Sequence, residues 1–407
     1  MKAINKFLDN NIIKIITLFL LISPFLDLLT SLMIHYTNIS LTIGIVIRFC
    51  FLMFLTFYCV FINKMNNKFS KRYVLMISIY LIICVLLFLD SNVFIEIKNL
   101  FKVFYMPIIF AFTYSICINK KEVIKDSSIV NTLYIYILLI FIANITKTAL
   151  LSYEVAKMGY VGWFNAANEI GAIIAIIFPI LTRYVLNNKN VKNIIMFLLT
   201  IIVIFMIGTK TPFISLVLTL SYYIIKKIIN LIKLKDLKKT MALLSSIVIT
   251  LTLFLNLIPK TPIYKNTMIH LNFLNVNDVS DLLTVEKLDH FILGQRLTFL
   301  EKNYNQYKKS PVENKLLGIG YENDKLVEMD ALDIFFRHGL IGFILFLTPF
   351  IIVGFKNKKK LNNFYLLPII IMIFISTFAG HVLTAPAVSF FGLIVFVKWV
   401  INKKERL

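Results

Sequence analysis

Long apolar stretches, interrupted by short polar ones, run along nearly the whole chain. Their length of about 20 residues is what an α-helix needs to cross the hydrocarbon core of a bilayer. Continuous apolar runs favour helices over the short alternating strands of a membrane barrel. The pattern predicts twelve transmembrane helices, at about 12–34, 40–62, 73–89, 99–117, 128–150, 165–186, 191–208, 211–229, 240–258, 331–354, 363–380 and 382–400.

Residues 259–330 form one long polar segment within this apolar chain. The segment separates nine predicted helices in residues 1–258 from three in residues 331–407, so we expect one membrane domain with an inserted loop module. Within the loop, residues 285–309 have the spacing of an amphipathic helix that lies on the membrane surface or caps the bundle. Its apolar face consists of Leu288, Phe291, Ile292, Leu297, Phe299, Leu300 and Tyr304. The expected fold is an all-α polytopic membrane protein whose one large extracytoplasmic loop contains helices.

Composition and charge agree with this interpretation. Hydrophobic residues make up 59% of the 407 residues and charged residues only 16%, which is outside the range of soluble domains. The net charge of +22 would suit a nucleic-acid-binding protein, but its distribution excludes that class. Basic residues concentrate in alternate loops, as cytoplasmic segments do, at 2–14, 64–72, 120–125, 183–192, 226–239, 356–360 and 398–406. This predicts cytoplasmic termini and an extracytoplasmic loop 259–330.

The cysteines and the N-terminal region indicate no further chemistry. No cysteine lies in the outer loop and no Cys-x-x-Cys spacing occurs, so neither a disulfide framework nor a metal site is indicated. The first apolar run is long enough to cross the bilayer and is not followed by a small-residue cleavage site. We therefore interpret it as a retained signal-anchor.

Two charged residues lie inside the first two predicted helices. Asp27 and Arg48 are at similar depth from the outer ends of two consecutive, antiparallel helices. Charges at such depth are costly and tend to be paired or functional. The positions predict an Asp27–Arg48 pair, which is either a structural ion pair or an arginine that faces an anionic cavity.

Three polar residues open the sixth predicted helix. Asn165, Asn168 and Glu169 have the i, i+3, i+4 spacing of one helix face near the outer surface. Such a face predicts a water-filled vestibule, and the alternative is hydrogen bonding between helices.

The turn between the seventh and eighth predicted helices holds a lysine, in the sequence Gly208-Thr209-Lys210-Thr211-Pro212. A lysine at a helix end is usually an interface anchor. Here the free backbone N–H groups of the next helix, beside the Lys210 ammonium, would also suit an anion.

Several acidic residues surround the end of the loop. Glu328 and Asp330 precede the tenth predicted helix, and Asp333 and Arg337 lie one turn apart within it. Acidic residues at a helix N-terminus complement the helix dipole, and Asp333 can pair with Arg337. These ordinary roles explain Asp330 and Asp333 better than they explain Glu328.

Three short segments, in their order and spacing, resemble those of the O-antigen ligase and polymerase superfamily. They are Asn168-Glu169-Ile170-Gly171, Gly208-Thr209-Lys210, and the loop exit with Gly318-Ile319-Gly320, Glu328 and Gly339-Leu340-Ile341-Gly342. The layout of the apolar runs is similar along essentially the whole chain. The resemblance implies a GT-C-like membrane glycosyltransferase that uses an undecaprenyl-pyrophosphate-linked glycan on the outer face of the membrane. The Ile-, Lys- and Asn-rich composition resembles that of a low-GC Gram-positive bacterium, so we expect a bacterial cell membrane.

The resemblance also assigns roles to residues. In the family an arginine commonly follows the Gly-Thr pair, where Lys210 keeps the charge but lacks the bidentate fork. A second family arginine, near the start of the loop helix, corresponds to Arg296. Ligases of the family have a histidine eleven residues before the first glycine of the Gly-x-x-Gly exit, and this chain has Glu328 there. The missing histidine favours a polymerase over a ligase.

The implied reaction needs neither a metal nor another cofactor. Arg296, Lys210 and Arg48 would bind the pyrophosphate and stabilise it as a leaving group. Glu328 would take the proton of the acceptor hydroxyl as that hydroxyl attacks the anomeric carbon. The supporting residues of the substrate cavity would be Asn165, Asn168, Glu169, Asp330 and Asp27. The expected partners are the lipid-linked glycan, the bilayer and other polysaccharide assembly proteins, and no nucleic acid.

Two alternatives remain open at this point. A ligase would use the same donor but attach finished glycan to a wall, lipid or protein acceptor. A polysaccharide flippase or other transporter also has about twelve membrane helices, although it more often has two related halves and interrupted helices at the midplane.

Overall fold

The computed structural model describes residues 2–37, 42–63, 67–87, 93–153, 157–245, 258–274, 284–321, 326–357 and 363–401, together with 256 and 276. Within these residues the chain is almost entirely helical, as an all-α polytopic membrane protein should be. The helices before the segment 259–330 are α1 (Lys2–Tyr36), α2 (Ile43–Phe57), α3 (Lys68–Leu87), α4 (Val93–Lys120), α5 (Asp126–Ile145), α6 (Ala167–Asn187), α7 (Val191–Ile207) and α8 (Lys210–Lys233).

The helices of the segment 259–330 and of the C-terminal part complete the described fold. They are α9 (Pro262–Phe273), α10 (Arg296–Lys309), α11 (Val312–Leu317), α12 (Asp330–Lys356), α13 (Leu366–Phe378) and α14 (Pro386–Ile401). Among the described residues, α1 to α6, α8 and α12 are long and apolar enough to cross a membrane, α2 being extended by a π-helical turn to Ile62. The helices α7, α13 and α14 are apolar but shorter.

Eleven of the twelve predicted membrane helices therefore coincide with a described helix. The twelfth, predicted at 240–258, lies largely outside the described residues, which are helical at 237–245 and end there before the gap. This agreement is expected, because a run of apolar residues long enough to span a bilayer can satisfy its backbone there only as a helix.

By their contacts the residues form two compact units, one of residues 1–132 and 284–407 and one of residues 133–283. In the first unit, α4 packs along α14, α3 and α12. Nearly every side chain from Val103 to Cys117 of α4 is buried, and so is most of α14. These two helices are apolar around their whole circumference, which is the pattern of a helix enclosed by others.

The second unit is built around α6, whose residues Ile170–Leu181 are buried against α7 and α8. Two short antiparallel strands, β1 (Leu150–Tyr153) and β2 (Met158–Gly162), form a hairpin between α5 and α6. The sequence pattern predicts no strand here. The hairpin packs against α7 and α9, so tertiary contacts stabilise it.

The segment 259–330 differs from its prediction in one respect that affects the candidate site. The helix predicted over 285–309 is wrong as a continuous element: it consists of a turn at Val285–Leu288, a π-helical turn at Asp289–Leu293 and then α10. Gly294 and Gln295 both have left-handed backbone conformations, with φ of +61° and +68°, and they separate the two parts. The predicted end at Ser310-Pro311 is confirmed, because α10 ends at Lys309.

Candidate active site

Arg296 is the first residue of α10 and lies against the loop exit. Its Nε donates to the backbone oxygen of Glu328 at 2.9 Å, and its Nη2 donates to the Glu328 carboxylate at 3.0 Å. Two further backbone oxygens accept from the same guanidinium, that of Leu293 at 2.8 Å and that of Ala379 at 3.3 Å. The guanidinium is thus oriented by three separate chain segments, which is the preorganisation that a binding cation needs.

The break before α10 is what presents Arg296 in this position. The buried carboxylate of Asp289 accepts hydrogen bonds from the backbone N–H of Leu297 and of Thr298, at 2.9 and 3.2 Å, and from the Thr298 hydroxyl. It therefore caps the first turn of α10 from outside, as an N-cap side chain does. A continuous helix would have satisfied these amides internally and pointed Arg296 elsewhere.

Glu328 lies in an unusual backbone conformation next to this arginine. Its φ is +62°, in the left-handed region that non-glycine residues rarely adopt and that clusters at functional sites. Gly380 packs so closely on it that a Cβ there would overlap the carbonyl group of Glu328. The Glu328 side chain is 43% exposed, whereas that of Arg296 is only 13% exposed. The Glu328 carboxylate is therefore accessible to solvent, whereas the Arg296 side chain is mostly buried.

The other two acids at the exit hold the backbone in place. Asp330 is buried, and its carboxylate accepts from the backbone N–H of Val382 and Leu383 and from the Thr384 hydroxyl, at 2.7 to 3.0 Å. This ties the start of α12 to the chain that enters α14. In the structure Asp330 thus connects two chain segments through hydrogen bonds, although we expected it among the residues that support a substrate cavity.

Asp333, one turn further along α12, accepts from the backbone N–H of Val327 at 2.7 Å and of Met329 at 3.2 Å. These bonds fix the segment on both sides of Glu328. Arg337 donates to the backbone oxygen of Gly320 at 2.9 Å and to the side chain of Asn303 at 3.2 Å. The two residues thus bind different parts of the loop exit.

The glycines of the loop exit allow close backbone packing. Gly318 has a φ of +105° and lies against the backbone of Arg337 and His338, and Gly339 has a φ of +65° and lies against Leu316. The backbone N–H of Ile319 donates across this contact to Phe336. A side chain at either glycine would separate the exit from α12.

Tyr321 follows this contact and connects it to two other groups. Its backbone N–H donates to the buried Glu96 carboxylate at 2.8 Å, and its hydroxyl is 3.0 Å from Nε2 of His338. Desolvation raises the pKa of the Tyr321 phenol, while the nearby Arg337 guanidinium partly opposes the shift. The phenol therefore stays neutral over the ordinary pH range.

The predicted Asp27–Arg48 pair is confirmed. Nη2 of Arg48 donates to the Asp27 carboxylate, and both side chains are at least nine-tenths buried. The neutralised pair favours the structural interpretation, because an arginine already matched by a carboxylate has less charge to offer an anion. Arg48 thus pairs with Asp27, as Arg296 pairs with Glu328.

The polar residues before α6 belong to the second compact unit. Asn165 precedes the helix, which begins at Ala167, so the predicted single helix face of Asn165, Asn168 and Glu169 is wrong for Asn165. The backbone of Ala166 is non-helical, which interrupts the spacing. Asn168 and Asn165 are exposed and Glu169 is half-buried.

The Gly208-Thr209-Lys210 turn also lies in the second unit. Gly208 ends α7 with a φ of +72°, and Lys210 begins α8 with an exposed side chain. The buried hydroxyl of Thr209 has no hydrogen-bond partner among the described residues. Gly171 of α6 faces Thr209 at close range, so two of the segments that carried the family resemblance meet here.

The sequence provides no signal for the part that Ala379 and Gly380 play. In the sequence, residues 379–381 are only a short connection between two apolar runs. A backbone oxygen can accept a hydrogen bond from an arginine whatever the residue type, so the sequence does not indicate this contact. Within the residues that the structure describes, no group of three or more His, Cys, Asp or Glu side chains could hold a metal ion.

Comparison with known proteins identifies one family. A family model described as an O-antigen ligase like membrane protein matches residues 9–281 and 278–406, which is nearly the whole chain. No curated protein sequence matches the chain significantly.

Proposed function

Because the chain belongs to the family of O-antigen ligase like membrane proteins, which are membrane glycan-processing enzymes, we propose that it polymerises lipid-linked oligosaccharide repeat units. The donor would be a repeat unit on undecaprenyl pyrophosphate, and the product a surface polysaccharide of the capsule, exopolysaccharide or teichuronic-acid type. The reaction would take place at the outer face of the membrane. The basic loops predict that side for the segment that carries Arg296 and Glu328.

The observation that carries the proposal is the Arg296–Glu328 pair. A cation that is held by backbone oxygens lies 3.0 Å from a half-exposed carboxylate. Glycosyl transfer from a pyrophosphate donor needs one group that stabilises the leaving pyrophosphate and one that accepts the proton of the attacking hydroxyl. The pair contains one group of each kind within a single short segment.

The proposed step can be written for these two residues. The acceptor hydroxyl forms a bond to the anomeric carbon, and its proton goes to the Glu328 carboxylate. The bond between the anomeric carbon and the pyrophosphate oxygen breaks, and Arg296 stabilises the negative charge that remains on the pyrophosphate. Donor binding would replace the contact between Nη2 and the Glu328 carboxylate, which would release the carboxylate to act as the base.

Lys210 and Arg48 have weaker support as phosphate-binding residues. The start of α8 offers backbone N–H groups, an ammonium and a buried hydroxyl that has no hydrogen-bond partner among the described residues, which together suit an anion. Arg48 is matched by Asp27. Their roles toward the pyrophosphate stay predictions from the family resemblance.

The proposal is tested by Arg296→Ala and Glu328→Gln in cells that depend on this chain for their polymer. Each should lower polymer formation by about 100-fold or more, as removal of one preorganised group at a reacting centre does. Glu313→Gln and Lys308→Ala change exposed residues of the same loop and should leave polymer unchanged. Normal polymer in either site variant, at normal protein level in the membrane, would contradict the proposal.

The ligase alternative is favoured by the family description itself. A ligase would use the same donor but transfer finished glycan to a different acceptor. The glycans of the inactive variants separate the two, because a polymerase variant accumulates single repeat units and a ligase variant accumulates long carrier-linked chains. The acid at position 328, where the family's ligases have histidine, leads us to expect single units.

A further inference from the structure

An apolar groove of about 880 Å³ lies within the second compact unit, apart from the residues discussed so far. Its walls come from the end of α5, the β-hairpin, the end of α7 and the start of α9. Ile202, Phe205, Met206 and Ile258 supply apolar surface. The volume is in the range of ligand pockets, which are commonly apolar with a few polar groups that orient the ligand.

Two lysines line this groove. They are Lys147, just after α5, and Lys260, just before α9. Both side chains are exposed, and among the described residues neither forms an ion pair. An apolar surface with two ammonium groups is complementary to an amphiphile that has an anionic head.

The aromatic residues nearby indicate the depth of the groove in the membrane. Tyr160 lines it and is 42% exposed. Trp163, in the turn after the hairpin, donates from its indole N–H to the Thr148 hydroxyl at 2.8 Å. Partly exposed Tyr and Trp residues are typical of the membrane–water boundary, where phospholipid head groups lie. Lysines at that depth reach lipid phosphates readily.

Close packing of the backbone supports the shape of this groove. Gly159 of the hairpin lies against the backbone of Ile207, and Gly208 lies against Pro262. The hairpin and α9 therefore both pack closely against the end of α7. Ile269 and Phe273 of α9 are exposed apolar side chains of the same unit.

We propose that this groove binds an anionic phospholipid of the outer leaflet, with its phosphate between Lys147 and Lys260 and an acyl chain along α7. The ammonium groups neutralise the head group, and the apolar walls contact the chain. The proposal concerns the second unit only and does not rest on the proposed function.

The test uses the full chain in lipid nanodiscs that contain a small fraction of phosphatidylglycerol with a photoreactive acyl chain. After irradiation, peptide mapping should locate cross-links at 202–206 and 258–262. A lysine near a membrane surface contributes enough attraction that each loss should reduce labelling about fivefold. Lys147→Gln with Lys260→Gln should therefore reduce labelling more than tenfold, and Lys147→Arg with Lys260→Arg should restore it.

Lys157→Gln is the matched control, because this exposed lysine lies in the hairpin turn of the same unit and does not line the groove. It should label like the unchanged protein, and all variants should have the same thermal midpoint. Unchanged labelling in the double glutamine variant would overturn the proposal. Equal labelling by photoreactive phosphatidylcholine would also overturn it, as would a photoreactive polyprenyl phosphate that labels the groove where phosphatidylglycerol does not.

Discussion

Arg296 is bound mainly by backbone oxygens, and this has a consequence at the scale of single residues. The oxygens of Leu293, Glu328 and Ala379 fix the guanidinium without neutralising it. The Glu328 carboxylate is the one full negative charge among these acceptors, and it is partly exposed. The ion pair of Arg296 is therefore more accessible to an anion than that of Arg48, whose carboxylate partner is buried.

Gly380→Ala should disrupt this arrangement without touching either charged side chain. The new methyl group would overlap the carbonyl of Glu328, and the φ of +63° at residue 380 disfavours any side chain. The backbone of Glu328 must then shift, and with it the oxygen that accepts from Arg296. We expect polymer formation to fall at least tenfold, since small displacements of catalytic groups have large effects.

Gly354→Ala is the control, because a Cβ at residue 354 would meet its neighbours at an ordinary 3.9 Å. Polymer would be measured by gel electrophoresis of cell-surface glycans, at matched protein levels. If both alanine variants made equal polymer, the contact between Gly380 and Glu328 would have no role in the site.

At the scale of elements, the break before α10 is the feature that matters most. The π-helical turn places Asp289 under the first turn of α10, where its carboxylate takes up two amides that a helix start leaves unpaired. Because Arg296 is the first residue of that helix, its position depends on the cap. The position of Arg296 thus depends on the way in which α10 begins.

Asp289→Ala should therefore reduce both stability and activity. Loss of such a cap costs about 1 kcal/mol, and the fraying of the first turn would release Arg296 from the loop exit. We expect a lower thermal midpoint in detergent and reduced polymer. Glu286→Ala changes an exposed acid in the preceding turn and should have neither effect. Equal behaviour of the two variants would mean that the cap does not position Arg296.

At the scale of the whole molecule, the distribution of basic residues predicts which face each loop occupies. The proposed chemistry requires α10 and the loop exit to lie outside the membrane. The same charge pattern predicts that the connection between α6 and α7, near Lys189, lies in the cytoplasm. Lys308 of α10 and Lys189 between α6 and α7 are both exposed, so the orientation of the chain in the membrane can be tested by labelling these positions.

Labelling of single cysteines in intact cells provides this test. In a background without Cys50, Cys59, Cys84 and Cys117, Lys308→Cys should react with a membrane-impermeant maleimide from outside. Lys189→Cys should react only after the membrane is permeabilised. Labelling of position 189 but not of position 308 in intact cells would show that the orientation is opposite to the predicted one, and it would contradict the proposed function.

The sequence by itself determined the features that depend on residues close together in the chain. Eleven of the twelve predicted helices coincide with a described helix, and eight of these are long and apolar enough to cross a membrane, because the length of an apolar run is a local property of the sequence. The Asp27–Arg48 pair followed in the same way, from depth along two consecutive helices. The resemblance of short segments pointed to the family that the comparison then confirmed.

Only the tertiary structure decided how the candidate site is assembled. Local periodicity predicted an unbroken helix over 285–309 and a position on a helix face for Asn165. Both predictions are wrong, because capping and packing override the local preference for a helix. Arg296 donates to the backbone oxygen of Ala379, and Gly380 packs on Glu328. Both contacts join residues that are far apart in the chain. They depend on backbone oxygens and close approaches, which residue type does not encode, so no pattern along the sequence could have indicated them.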